Sequence, residues 1–377
     1  MTHRLASSLG AFALLLASTL VALGICELIV RFAFPPAPTL LGVGLVSSGT
    51  YGPDPILGWR PRPNVTYFSP RFSETYTTNS RGLRGPERPL EKPAGLRRIV
   101  VLGDSFTWGF GVNDAEVFPR ILESRLQRTE VVNLGVTAYG LSQEFDYLKI
   151  EGVLHQPNIL ILAFCQNDIP RDRRSPEEQY RSRANPPPKS APSGLLGPMK
   201  TWLSSHIVLF QLAQQAINTY RSLVKTLVAV GLKEELDGYV DLDDNIKAAL
   251  RTYPPDLQAD FEADEAELLQ MRDWLSERGI RFIVVLIPAL QAIEPLAFQH
   301  TIAYTVFESL DFDLEKPYRN LEAFASANSI EVVNTYPALK RRADAGAKLY
   351  LRSDPHFNAL GHEVFAAEIF AYLKQPQ

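Results

Sequence analysis

Ile99-Val100-Val101-Leu102-Gly103-Asp104-Ser105-Phe106-Thr107-Trp108-Gly109 passes from a short, apolar, mostly β-branched run straight into Gly-Asp-Ser. A run of that length, closed by a glycine, reads as a strand buried on both faces. Its last residues present a serine hydroxyl where strand gives way to helix, and open α/β sheets keep their ligands there, outside the carboxyl ends of the strands. Far downstream, Ser353-Asp354-Pro355-His356-Phe357-Asn358 precedes an apolar-periodic segment, 359–373. A serine at an early strand end and an Asp-x-His on a late loop supply the parts of a nucleophile, a base and an orienter.

Four more apolar runs repeat the strand pattern, at 131–134, 159–164, 282–287 and 331–333, while helical patterns cover 117–126, 143–154, 257–277, 318–327 and 359–373. This alternation predicts a three-layer α/β/α sandwich around a parallel sheet of about five strands. Residues 97–377 form that domain, with an insertion at about 170–253. Within the insertion, 171–198 is rich in Arg, Ser and Pro and is expected as an irregular exposed loop. A helix is expected over 202–230, where Trp202 and Phe210 either bury against the domain or line an acyl pocket. The arginines 171, 173, 174, 181 and 183 read as a solvated face, with contact to anionic lipid or acidic glycan as the alternative. Residues 37–96 form an extension, with short strands around Thr66-Tyr67-Phe68 and Thr75-Tyr76-Thr77 laid against the main domain.

Of 377 residues, 46% are hydrophobic and 21% charged, enough apolar content for a sizeable core. A net charge of −4 argues against a nucleic-acid partner, which would need a basic stripe. The two cysteines, Cys26 and Cys165, lie in separate apolar segments and imply no disulfide framework. Residues 9–25 are apolar or small throughout, and the segment runs on to Phe34 with Glu27 and Arg31 as its only charges. About 20 apolar residues span a bilayer as a helix. No small-x-small site precedes Pro35-Pro36, so residues 1–36 are expected to be an uncleaved transmembrane anchor, with a cleaved signal as the alternative. Arg4 favours the amino end inside, which places the domain outside the cytoplasm or in a periplasm, on the cell membrane.

Gly103-Asp104-Ser105, Asn133-Leu134-Gly135, Gln166-Asn167-Asp168 and Asp354-Pro355-His356 occur in the order that marks the SGNH (GDSL-like) hydrolases, and the chain resembles that family from about Arg97 to its end. Asn79-Ser80-Arg81-Gly82-Leu83-Arg84 also resembles a segment upstream of the serine block in membrane-anchored bacterial members. The resemblance implies a flavodoxin-like fold and serine-mediated acyl transfer, with no metal or organic cofactor. Ser105 would be the nucleophile, His356 the base and Asp354 its orienter. Alone, Ser105 also fits a helix cap. The oxyanion donors implied are the Ser105 N–H, a backbone N–H of the second block and the Asn167 side-chain amide. Asp104 and Asp168 flank these groups and are expected to hydrogen-bond the loops.

Two positions depart from the family pattern. Ala138 stands where the second block's glycine is usual; a backbone donor survives, but a positive φ there would strain an alanine, with Gly140 nearby to relieve it. Cys165 replaces a glycine before Asn167 and reads as a small buried residue. His362, inside the last helix, reads as a packing residue, and Asp354, His356 and His362 match no metal-ligand spacing. The expected partners are an acyl ester, carried on a carbohydrate or a lipid, and the membrane through the N-terminal helix. Hydrolysis and O-acyl transfer to an envelope or exported polysaccharide share this chemistry. A catalytically silent glycan-binding or membrane-partner domain is the third reading.

Overall fold

The computed structural model describes residues 2–33, 49–69, 72–168, 174–184, 244–302, 310–352 and 354–375, with scattered positions between 199 and 230. Two compact units divide the chain: 1–42 with 187–235 and 303–305, and 43–186 with 236–302 and 306–377. In the first, Thr2–Ala33 is a single helix, α1. Leu14, Leu15, Val21, Leu23, Ile25, Leu28 and Ile29 are exposed along it. Among the described residues, no helix is long and apolar enough to cross a membrane. Most of the helix expected over 202–230 lies outside the described residues, and Trp202, at 53% exposure, is not buried.

The second unit holds the parallel sheet. Strands β5 (Arg97–Gly103), β6 (Thr129–Asn133), β7 (Ile159–Cys165), β8 (Arg281–Ile287) and β9 (Glu331–Asn334) lie in the order β6-β5-β7-β8-β9. The register pairs Ile99 with Val131 on one side and with Ile159 on the other, then Leu160 with Phe282 and Val284 with Val332. β7 is buried along its whole length, as its unbroken apolar run requires. Alternate residues build one core layer: Ile99, Val101, Ile161, Ala163, Ile283 and Val285 pack with Phe118 and Leu122 of α3 (Phe118–Arg125) and with Phe365 and Ile369 of the last helix, Ala359–Leu373. Leu141–Ile150 (α4) and Pro255–Ser276 pack against β5 and β8, and Lys316–Ala327 against β9.

This order reverses direction between β5 and β7, the switch point at which doubly wound sheets bind ligands. The glycine-serine turn follows β5 and the Gln-Asn-Asp turn follows β7, so the topology alone brings them together. Ahead of the sheet, Tyr51–Asp54 (β1) pairs antiparallel with Gly58–Pro61 (β2), and Thr66–Ser69 (β3) with Glu74–Thr77 (β4).

One expectation is corrected. Pro176–Ala184 is a helix inside the stretch read as irregular loop. Its start is a capping box: Ser175 Oγ accepts from Glu178 N–H, while Glu178 Oε2 accepts from Ser175 N–H at 2.9 Å, with Pro176 at the first helical position. In that helix Arg181 pairs with Glu177 on an exposed face; Arg171 and Arg173 lie outside the described residues.

Candidate active site

Ser105, Asn133 and Asn167 are placed by the ends of strands, while Asp354 and His356 lie on the loop before the last helix. β5 stops at Gly103, whose φ of +149° and surroundings exclude a side chain: a Cβ there would lie 2.1 Å from Thr107 Oγ1 and 2.9 Å from the Ala163 carbonyl. A short helix, Ser105–Trp108 (α2), follows at once. Asp104 caps it, its Oδ1 accepting from Phe106 N–H at 2.9 Å. Ser105 therefore occupies the first helical position, buried yet turned toward the sheet's carboxyl edge.

The second block locks onto this helix. Asn133 Nδ2 donates to the Thr107 carbonyl at 2.7 Å, and its Oδ1 accepts from Gly135 N–H at 2.8 Å. A Cβ at Gly135 would fall 2.2 Å from the Trp108 nitrogen, so only glycine lets the turn approach so closely. The late loop is stitched in turn. Leu351 N–H donates to the His356 carbonyl, and Asn358 caps the last helix through Gly361 N–H while its amide donates to the carbonyls of Lys348 and Tyr350.

These loops bring Ser105, His356 and Asp354 together across 251 residues of sequence. His356 Nδ1 bonds Asp354 Oδ1, and His356 Nε2 lies 2.6 Å from Ser105 Oγ. An Asp354 carboxylate accepts only from an Nδ1–H, which leaves Nε2 bare and makes the serine hydroxyl the donor. Asp104 Oδ2, at 3.2 Å, is the more distant alternative for that proton. The imidazole is held between the rings of Phe106 and Phe110, with centroids 4.9 and 4.8 Å away.

Ala138, beyond the second block, has φ +64°, while Gly140 has φ −108° and takes up none of the strain. Among the described residues, neither the Ser105 nor the Ala138 N–H donates a hydrogen bond. Asn167 sits in the 3-10 turn Gln166–Asp168 directly after β7, its side chain being outside the described residues. Asp168 Oδ2 accepts from Cys165 N–H at 2.9 Å and ties this turn to the strand end. Cys165 is fully buried in the core layer, and His362 is buried against Phe118 and Phe357.

Sequence reasoning missed Glu144, a buried carboxylate whose field reaches Asp104 and Asp168. Glu144 on α4 is buried, and neither carboxyl oxygen has a hydrogen-bond partner among the described residues. Burial pushes its pKa well above the usual carboxylate range, and Asp104, Asp264 and Glu267 add repulsion. Asp168 is raised by burial too, with Glu144 and Asp104 next in effect. In both, the fold favours the protonated carboxyl more than water does. No local sequence signal marks Glu144, whose burial comes from helix packing. Among the described residues, no group of His, Cys, Asp and Glu is arranged to hold a metal ion.

A cavity of about 110 Å³ lies where β7 and β8 meet the helices Pro255–Ser276 and Lys316–Ala327, with Phe164, Gln166, Phe261, Leu286 and Tyr318 among its lining; none of Ser105, Asp354 and His356 reaches it.

The family model for GDSL-like lipases and acylhydrolases matches residues 101–364. The chain belongs to the GDSL-like lipase/acylhydrolase family. It is accordingly an enzyme of the esterase or acyltransferase kind, built on the α/β fold of GDSL hydrolases. Solved structures similar to it include a lipolytic G-D-S-L family protein from Veillonella parvula, at 14% identity and TM-score 0.38 over 74% of this chain and 100% of that one. A GDSL-like lipase from Bacteroides thetaiotaomicron matches at 12% and 0.36, over 74% and 88%. An acetylxylan esterase from Geobacillus stearothermophilus matches at 12% and 0.39, over 74% and 95%. No curated protein sequence matches.

Proposed function

We propose that this GDSL hydrolase is a membrane-anchored serine esterase working outside the cytoplasm on acyl esters. The observation that carries the chemistry is the 2.6 Å contact from Ser105 Oγ to His356 Nε2, with Nδ1 engaged by Asp354. A serine hydroxyl is a weak nucleophile until a base takes its proton, and here the base is in place and oriented. Ser105 Oγ attacks the ester carbonyl carbon as its proton passes to His356. Asp354 stabilises the imidazolium and keeps the ring in its productive tautomer. The oxyanion accepts from the N–H groups of Ser105 and Ala138 and from the Asn167 amide. Collapse breaks the ester C–O bond, and His356 returns the proton to the departing alcohol. Water then repeats the sequence on the acyl-enzyme.

Anchoring rests on the sequence: residues 9–25, apolar or small throughout, fall within one helix, α1, along which Leu14, Leu15, Val21, Leu23 and Ile25 are exposed.

The test is hydrolysis of p-nitrophenyl esters from acetate to dodecanoate by the full chain in detergent, with and without an added alcohol acceptor. Ester hydrolysis that is lost in Ser105→Ala supports the reading. Equal activity in Ser105→Ala contradicts it, and acyl groups passing to the alcohol ahead of water would make the enzyme a transferase.

A further inference from the structure

Tyr51 and Trp59, on β1 and β2, and Leu57 in the turn between them are almost fully buried, although this hairpin lies outside the main sheet. What they reach is the turn after β6. Tyr51 Oη and Thr137 Oγ1 share a hydrogen bond of 3.0 Å, and Trp59 Nε1 donates to the Thr137 carbonyl at 3.2 Å. Tyr139 Oη donates back to the Trp59 carbonyl, and the two rings meet edge to face at 5.4 Å. Gln143 Nε2 donates to the Leu57 carbonyl at 2.6 Å. The residues on both sides of Ala138 are therefore fastened to the β1–β2 hairpin.

Two physical facts make that placement consequential. The Thr137 carbonyl and the Ala138 N–H are the two polar groups of one planar trans peptide, and they point in opposite directions. An indole that fixes the carbonyl fixes the heading of the N–H as well. In addition, Ala138 stands at φ +64°, where a Cβ is unfavourable, and such conformations persist only when their surroundings hold them.

We propose that the β1–β2 hairpin is a clamp on the active site, in which Trp59 and Tyr51 are positioning residues that hold the strained Thr137–Ala138 peptide with its N–H directed into the oxyanion site. This rests on Ala138 being an oxyanion donor, as proposed above. A glycine at position 138 would adopt the same φ unaided; the alanine makes the enzyme depend on its hairpin.

The test is a double-variant cycle on the full chain in detergent, using p-nitrophenyl acetate. Trp59→Phe keeps an aromatic ring and removes the indole N–H. Loss of a whole oxyanion donor costs about 10²–10³ in kcat, so a donor loosened rather than removed is expected to cost about tenfold, with KM little changed. Ala138→Gly in the Trp59→Phe background is expected to recover about half or more of that loss on a logarithmic scale. Tyr51→Phe, which removes one hydroxyl, provides a milder variant with a smaller loss of the same kind. An unchanged kcat in folded Trp59→Phe and Tyr51→Phe, or an identical loss whether position 138 carries alanine or glycine, overturns the clamp. Wild-type enzyme that fails to turn over the ester, or fails to react at Ser105 with a fluorophosphonate, overturns the underlying site as well. The two failures are thereby distinguished.

Discussion

Arg84 offers the sharpest test of how the serine helix is held. Its side chain is 1% exposed. Nη1 donates to the carbonyls of Trp108 (2.7 Å) and Gly109 (2.5 Å), Nη2 to Val112 (2.6 Å), and Nε to Asp114 Oδ1 (2.5 Å). The guanidinium also lies 4.7 Å from the Tyr76 ring centroid. Trp108 and Gly109 end the helix that begins at Ser105, so a buried cation satisfies carbonyls that the helix itself cannot. In Arg84→Met the Trp108 and Val112 carbonyls lose the arginine as donor, at about 1–3 kcal/mol each, while the Gly109 carbonyl keeps a long bond from Val112 N–H at 3.4 Å. Asp114 is half-buried and keeps the Thr77 hydroxyl as a donor, so it adds little. Relaxation brings such sums down, and single substitutions seldom exceed about 4–5 kcal/mol. The expected loss is about 4 kcal/mol, which at an m-value of about 3 kcal/mol/M lowers the urea midpoint by about 1.3 M. Arg84→Lys is expected to recover less than half, because an ammonium cannot reproduce the planar fork. Unfolding followed by tryptophan fluorescence measures both. A midpoint shift below about 0.3 M for Arg84→Met would refute the assignment of Arg84 as the helix anchor.

Three further outcomes follow from buried groups. His362 is depressed from 6.5 to about 3, mainly by burial, so the unfolded chain takes up a proton that the fold refuses. Stability therefore falls as pH drops from about 6.5 toward 3, by up to about 1.4 kcal/mol per pH unit; melting temperatures of His362→Leu should fall less steeply there, and parallel curves would contradict this. Glu144 has the opposite sign: its raised folded pKa is a stability contribution present at low pH and lost as pH rises above the unfolded value of about 4.3. Glu144→Gln should gain on wild type progressively as pH rises above about 4.3, a gain absent if the carboxyl is not buried as described. Gly103→Ala should cost at least about 3 kcal/mol, and adding Thr107→Ala should restore only part, since φ +149° remains; a wild-type melting temperature would count against the geometry.

β5, β7 and β8 were legible because each is a short apolar run buried almost throughout. The site was legible because three of its blocks stand at strand ends and the fourth directly precedes the last helix. Ser105 and His356 could be joined before their distance was known, since each lies at an element boundary that a parallel sheet gathers onto one edge. The work of the extension was not legible. Tyr51 and Trp59 sit in four-residue strands of mixed polarity, and their partners lie about eighty residues away, where no periodicity points. The helix Pro176–Ala184 was hidden by its arginines and prolines, although Ser175-x-x-Glu178 signalled its start. At Ala138 the sequence posed the right question, and only the backbone angle answered it. Glu144 had no signal, because burial of one acid on an amphipathic helix is decided by the elements around it.

The central claim is that Ser105 is activated by His356. Reaction of the full chain with a fluorophosphonate, followed by mass mapping, tests it most directly. The account predicts one adduct, on Ser105, abolished in Ser105→Ala and lost or slowed by orders of magnitude in His356→Ala. No adduct on the folded enzyme, an adduct elsewhere, or undiminished labelling in His356→Ala would contradict it.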